Sequence, residues 1–113
     1  MSKEKKPRLL SDGELEDIAL HFKMLGEPMR LKILQAVCQE QRSVNDIVAA
    51  VGATQANVSK HLQLLHAQGF VARRKEGLFV YYTLAYQRVF QLCELMCDSL
   101  DAALTARRRL FAS

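Results

Sequence analysis

"SVNDIVAAVGATQANVSKHLQLLHAQG", residues 43–69, contains two helical periods separated by one glycine. In the first, Val44, Ile47, Val48 and Val51 recur at helical spacing and face inward. Ser43 stands where an N-cap is needed, with Asp46 three residues on, a variant of the capping box. In the second, Val58, Leu62 and Leu65 form the buried stripe, Thr54 is the cap and Gly69 the stop. Gly52-Ala53 is the only link between them. Two short helices around a tight glycine turn predict a helix-turn-helix.

Outward from this pair the pattern changes twice. Downstream, "FVARRKEGLFVYYTL" is rich in β-branched and aromatic residues and predicts a hairpin with its turn at Glu76-Gly77. "AYQRVFQLCELMCDSLDAALTARRRLF" returns to helical spacing. Val89, Leu92, Cys93, Met96, Cys97, Leu100, Ala103 and Leu104 form one long apolar stripe, and Arg107, Arg108 and Arg109 complement the helix dipole at its end. Upstream, "EPMRLKILQAVCQE" opens with Pro28, favourable in a first helical turn, and carries Leu31, Ile33, Leu34, Val37 and Cys38 on a broad apolar face. "SDGELEDIALHFKMLG" has Ser11 and Asp12 as capping residues, Leu15, Ile18, Ala19, Phe22 and Leu25 at helical spacing, and ends near Gly26. Residues 1–10 read as a flexible basic arm, and residues 11–113 as one domain. The expected fold is mainly α with a small β-hairpin: four helices, a hairpin, and a last helix, that is, a winged helix-turn-helix.

Composition narrows the function. The 113 residues suit one domain, half of them hydrophobic. The net charge of +4 and a pI near 9.2 are compatible with a polyanionic partner and equally with an ordinary protein carrying excess lysine. "MSKEKKPRLL" lacks the apolar run of a signal peptide, and no stretch approaches the roughly 20 apolar residues of a membrane span. A cytoplasmic protein without membrane contact is expected. Three cysteines, an odd number, point to reduced thiols rather than a disulfide framework. No P-loop, Cys-x-x-Cys or paired-acid motif appears, and no histidine lies close to Cys93 or Cys97. An enzyme is therefore not expected.

The second helix of the pair carries amides and hydroxyls where most helices carry charge. Thr54, Gln55, Asn57, Ser59, Lys60 and His61 lie in its N-terminal half, the part of a recognition helix nearest to base edges. Asn and Gln can bond adenine bidentately, and Ser or Thr can serve several bases. Arg73, Arg74 and Lys75 precede the hairpin turn and Arg42 precedes the helix pair, placed to grip phosphates, which position without reading sequence. The competing reading is a solvated helix and a charged hairpin, or a winged helix that binds protein. Turn, polar face, basic wing and pI agree on duplex DNA.

These segments resemble the ArsR/SmtB family of repressors. "LGEPMRLKIL" is similar to that family's second helix, "TQANVSKHLQLLHAQGFVARRKEG" to its recognition helix and wing, and "VYYTL" to its second wing strand. The resemblance covers residues 15–100. It implies a homodimer built on the first and last helices, an operator with an inverted repeat, and release of DNA when an inducer binds. The long stripe independently favours a second copy as its cover, since it is too apolar to be left in water, although helix one of the same chain competes for it. Leu15, Ile18, Phe22, Val89, Met96, Leu100 and Leu104 are the expected interface residues.

No constitutive cofactor is expected. Cys93 and Cys97 are four apart on a helix, which places their β-carbons about 5–6 Å apart on one face. With Cys38 they could hold arsenite or antimonite, which are content with three thiolates, or another soft metal ion. A partner subunit could supply part of the site. A persulfide or disulfide response using Cys38 with Cys93 or Cys97 is the redox alternative, and packing as small hydrophobes is the plain one. A structural zinc site would need four ligands. The family's paired-cysteine motif is absent from the third helix, which reads "SVNDIV", and the last helix lacks histidine, so zinc, nickel and cobalt sensing lose support. The cysteines of the sulfide-sensing members align elsewhere than Cys38 and Cys97. His21 and His66 read as ordinary surface or packing residues.

Overall fold

The computed structural model describes Lys6 and residues 8–111. Most of the arm expected over residues 1–10 lies outside the described residues; within it, Arg8 pairs with Glu14 at 2.9 Å. The elements run α1 (Asp12–Leu25), α2 (Pro28–Val37), β1 (Arg42–Ser43), α3 (Val44–Val51), α4 (Gln55–Ala67), β2 (Val71–Glu76), β3 (Phe79–Leu84) and α5 (Val89–Phe111).

The first four helices start where a side chain satisfies a free amide. Ser11 and Glu14 form a reciprocal capping box on α1. Glu27 caps α2 through the Arg30 amide, with Pro28 in the first turn. Ser43 and Thr54 accept from the Asp46 and Asn57 amides at 3.2 Å. The ends are set by backbone. Gly52 closes α3 at a left-handed φ of 69°, its amide on the Val48 carbonyl. At the end of α4 the Gly69 amide donates to His66 and the Phe70 amide to Leu65, a Schellman arrangement that needs the φ of 81° at Gly69.

The hairpin differs from expectation in two respects. Glu76 pairs with Phe79 in the ladder, so the turn is Gly77-Leu78, with a positive φ of 61° at Gly77 alone. A third strand also joins it. β1 pairs antiparallel with β3 through Arg42↔Tyr82 and Ser43↔Tyr81, giving the order β1-β3-β2. A two-residue strand whose second residue, Ser43, is also the cap of α3 is too short for a period-2 pattern, which is why the sequence hides it.

The core lies between α2, α3, α4 and the base of the sheet. Ile33, Leu34, Val37, Ile47, Val58, Leu62, Leu65 and Phe70 are all at or below 1% exposure. Each such side chain contributes about 1.5–3 kcal/mol by leaving water. Val89 is also fully buried, in this same core. That corrects its place in the expected subunit interface: at the first turn of α5 it anchors the helix to its own domain.

Past Cys93, α5 is uncovered through Leu110, and so is most of α1. Leu15, Ile18 and Phe22 are exposed on α1, and Met96, Leu100 and Leu104 on α5. Helix one of the same chain does not cover the α5 stripe. None of the described helices is long and apolar enough to cross a membrane.

Candidate nucleic-acid interface

Residues 43–76 place one polar helix face and one basic strand beside each other. On α4, Val58, Leu62 and Leu65 are buried, which turns the opposite side of the helix outward. Lys60 is exposed there with Asn57 beside it, Ser59 is half-buried on the flank, and Gln55 is exposed as the first residue of the helix, three residues before Val58. Thr54 is exposed as well, but its hydroxyl oxygen holds the Asn57 amide, so its task at the helix start is partly structural.

Gln63 escaped the sequence reading. It is exposed, stands three residues after Lys60, and extends the outward row by another turn. The signal was present in the buried triplet Val58, Leu62 and Leu65, whose opposite face contains Lys60 and Gln63.

His61 turns the other way. Its side chain is only 12% exposed and lies 3.7 Å from the Glu27 carboxylate. Its Nδ1 accepts from the Arg30 Nε at 3.2 Å. A histidine at this place either contacts DNA or supports its helix, and the geometry favours support. Arg42 is likewise engaged within the subunit: its Nε donates to the Ala36 carbonyl and its Nη2 lies 3.4 Å from Glu40. It ties β1 to the end of α2 rather than standing free for a phosphate.

The wing cations divide by strand alternation. Arg73 and Lys75 are exposed and enter no ion pair with a described residue. Arg74 faces the other way, 2.8 Å from Glu76, donating to Gln41 at 2.6 Å and lying 5.6 Å from the Tyr81 ring centroid. Beside α4 the wing therefore carries two exposed cations and one committed within the subunit.

The thiols are dispersed. Cys38 turns back to its own helix and donates to the Gln35 carbonyl at 3.0 Å. Cys93 is half-buried against the core, and Cys97 is exposed on the outer stripe of α5. Among the described residues no three Cys, His, Asp or Glu side chains gather into a metal-holding group. The set Cys38, Cys93 and Cys97 is thus not assembled within one chain.

Comparison with known proteins gives one consistent result. The family model described as "Bacterial regulatory protein, arsR family" matches residues 27–73, from the start of α2 into β2. A "Transcriptional repressor SmtB homolog" from Synechocystis sp. is 32% identical over 95 residues, covering 84% of this chain and 72% of that protein. The homodimeric winged helix-turn-helix DNA-binding domain Mb0332 from Mycobacterium bovis superposes with a TM-score of 0.70 at 34% identity, covering 84% of this chain and 91% of that one. The AntR antimony-specific transcriptional repressor superposes with a TM-score of 0.75 at 25% identity, covering 89% and 92%.

Proposed function

The chain belongs to the arsR family of bacterial regulatory proteins, transcriptional regulators and not enzymes, and from that premise we propose that it is a homodimeric, cytoplasmic repressor released from its operator by a thiol-reactive inducer. The observation that carries this reading is the outward row of α4, where Asn57, Lys60 and Gln63 stand exposed over a buried apolar triplet, with Gln55 exposed at the helix start. Amide and ammonium groups in that row match the donors and acceptors of base edges in the major groove. Arg73 and Lys75 on the wing meet phosphates beside it.

A second copy of the chain covers the apolar faces of α1 and α5. Leu15, Ile18 and Phe22 from one helix and Met96, Leu100 and Leu104 from the other are apolar yet solvent-facing in the single subunit. A two-fold axis through these helices presents two α4 helices to successive major grooves, about 34 Å apart, and so calls for an operator with an inverted repeat. The homodimeric state of the Mycobacterium bovis domain supports this arrangement.

The inducer acts on the same interface. Cys93 and Cys97 lie one turn apart on α5, and Cys97 is exposed on the stripe that the second subunit covers. Two thiolates and a third ligand from the other subunit suit trivalent antimony or arsenic, or another soft metal ion. The likeness to an antimony-specific repressor supports that class. A bound ion lowers DNA affinity to the extent that it favours a subunit orientation in which both α4 helices cannot dock at once.

The test is a salt titration of binding to a duplex selected from a random-sequence pool by the wild-type protein. Affinity falls steeply with salt as counterions are released. Lys75→Ala weakens all duplexes alike and reduces the slope by about 1, whereas Gln55→Ala relaxes discrimination at one base position by about 1–3 kcal/mol. Failure to enrich any duplex, or equal binding by both variants and wild type, overturns the reading.

A further inference from the structure

The tip of the wing is apolar where phosphate contact alone would call for charge. Leu78 is 98% exposed and its neighbour Phe79 is 58% exposed. The strands behind them pair without a break from Glu76↔Phe79 to Val71↔Leu84. A side-chain ladder stiffens the same segment. The rings of Phe79 and Tyr81 lie 6.4 Å apart, and the Arg74 guanidinium sits over Tyr81 while bound to Glu76 and Gln41. Glu76, the acid nearest the turn, is neutralised by that pair. The result is an uncharged apolar point on a braced base, with the exposed cations Arg73 and Lys75 behind it.

We propose that Leu78, backed by Phe79, is a wedge that enters the DNA minor groove beside the α4 site and partly unstacks one base step. The inference rests on the repressor reading and adds a contact that is neither a phosphate grip nor a base hydrogen bond. Apolar side chains used in this way open a step and kink the duplex toward the major groove. The dimensions favour DNA over a protein as the occupant. A standard protein interface takes about 800 Å² from each partner, far more than one two-residue turn offers. The minor groove is only about 6 Å wide and admits a single tip of this kind. Arg73 and Lys75 supply attraction to the phosphate walls on the approach. A wedge prefers steps that unstack easily, so the wing selects flexible pyrimidine–purine steps in the operator flank without reading a base edge.

The experiment uses the full-length protein and the selected duplex, with 2-aminopurine placed in turn at the flanking steps and a donor–acceptor dye pair at the duplex ends. Wild-type binding is expected to raise 2-aminopurine fluorescence at one flanking step in each half-site and to shorten the end-to-end distance. Leu78→Ser abolishes both signals and weakens binding at least about tenfold, while the salt slope is unchanged because an apolar contact releases no counterions. Leu78→Met restores all three. Leu78 is almost wholly solvent-facing, so these variants keep the fold, which circular dichroism verifies. Equal affinity and equal fluorescence for wild type and Leu78→Ser overturn the wedge while leaving the repressor reading intact. A weaker Leu78→Ser complex with a reduced salt slope also overturns it, since the tip then acts on phosphate contacts. No duplex bound by the wild type overturns both readings.

Discussion

Arg30 donates from its Nε to Nδ1 of His61 at 3.2 Å, joining the second helix to α4. The same guanidinium donates from Nη1 to the Met24 carbonyl at 3.3 Å, so the end of α1 is tied into the contact. Because Nδ1 accepts, the neutral ring carries its proton on Nε2, toward the Glu27 carboxylate. Arg30→Met keeps the aliphatic stem and removes the donors. It is expected to cost about 1–3 kcal/mol in urea denaturation and to weaken DNA binding without changing the salt slope. Nitrogen-15 spectra of the ring should report the Nε2-protonated tautomer in wild type and a tautomer mixture in the variant. An unchanged stability and spectrum would remove Arg30 from the support of α4.

Gly52 sets the turn of the helix pair through its backbone alone. Its φ is 69°, and a β-carbon there meets nothing within 4 Å. Gly52→Ala therefore introduces no clash and only the left-handed strain of an L-residue, about 1–2 kcal/mol. Gly13, in α1, has equally open surroundings and no positive φ. Gly13→Ala is expected to be neutral or stabilising by up to about 1 kcal/mol. Thermal unfolding of both variants separates backbone strain from simple crowding.

The apolar stripe of α5 divides at its first turn. Met96 and Leu100 are 61% and 55% exposed, whereas Val89 is fully buried. Leu100→Glu leaves the subunit folded and is expected to shift sedimentation from dimer to monomer, with the loss of tight operator binding. Val89→Glu places an unpaired charge in the core and unfolds the domain at any concentration. A Leu100→Glu protein that remains dimeric would place the interface elsewhere.

In the proposed sensor a second subunit completes the site begun by Cys93 and Cys97. Cys93→Ser and Cys97→Ser are each expected to raise the antimonite concentration needed for release of DNA by about tenfold or more, with DNA affinity in the absence of antimonite retained. Parallel titrations with cadmium and with a persulfide donor distinguish soft-ion from redox induction. Release at the wild-type concentration in both variants removes the α5 thiols from the sensor.

Local signals in the chain were strong where a residue's task is local. Ser11, Ser43 and Thr54 sit at helix starts because a side-chain oxygen answers a free amide three residues away, a relation that sequence spacing alone contains. The buried triplet of α4, the glycine turn at Gly52 and the paired β-rich runs before and after Gly77 are equally short-range, and the winged helix-turn-helix follows from their order. Other features depend on partners far along the chain. β1 exists because β3 lies beside it, with Arg42 and Tyr82 brought together by the sheet. His61 turns from the outward face of α4 because Arg30, 31 residues earlier, meets it across α2 and α4. Arg74 leaves the set of free wing cations because Gln41 and Glu76 converge on it, and Val89 leaves the interface because the core reaches the first turn of α5. Periodicity reports which side of an element is apolar. Only the packed chain decides what that side touches, since contact between distant segments is fixed by shape and burial and not by spacing.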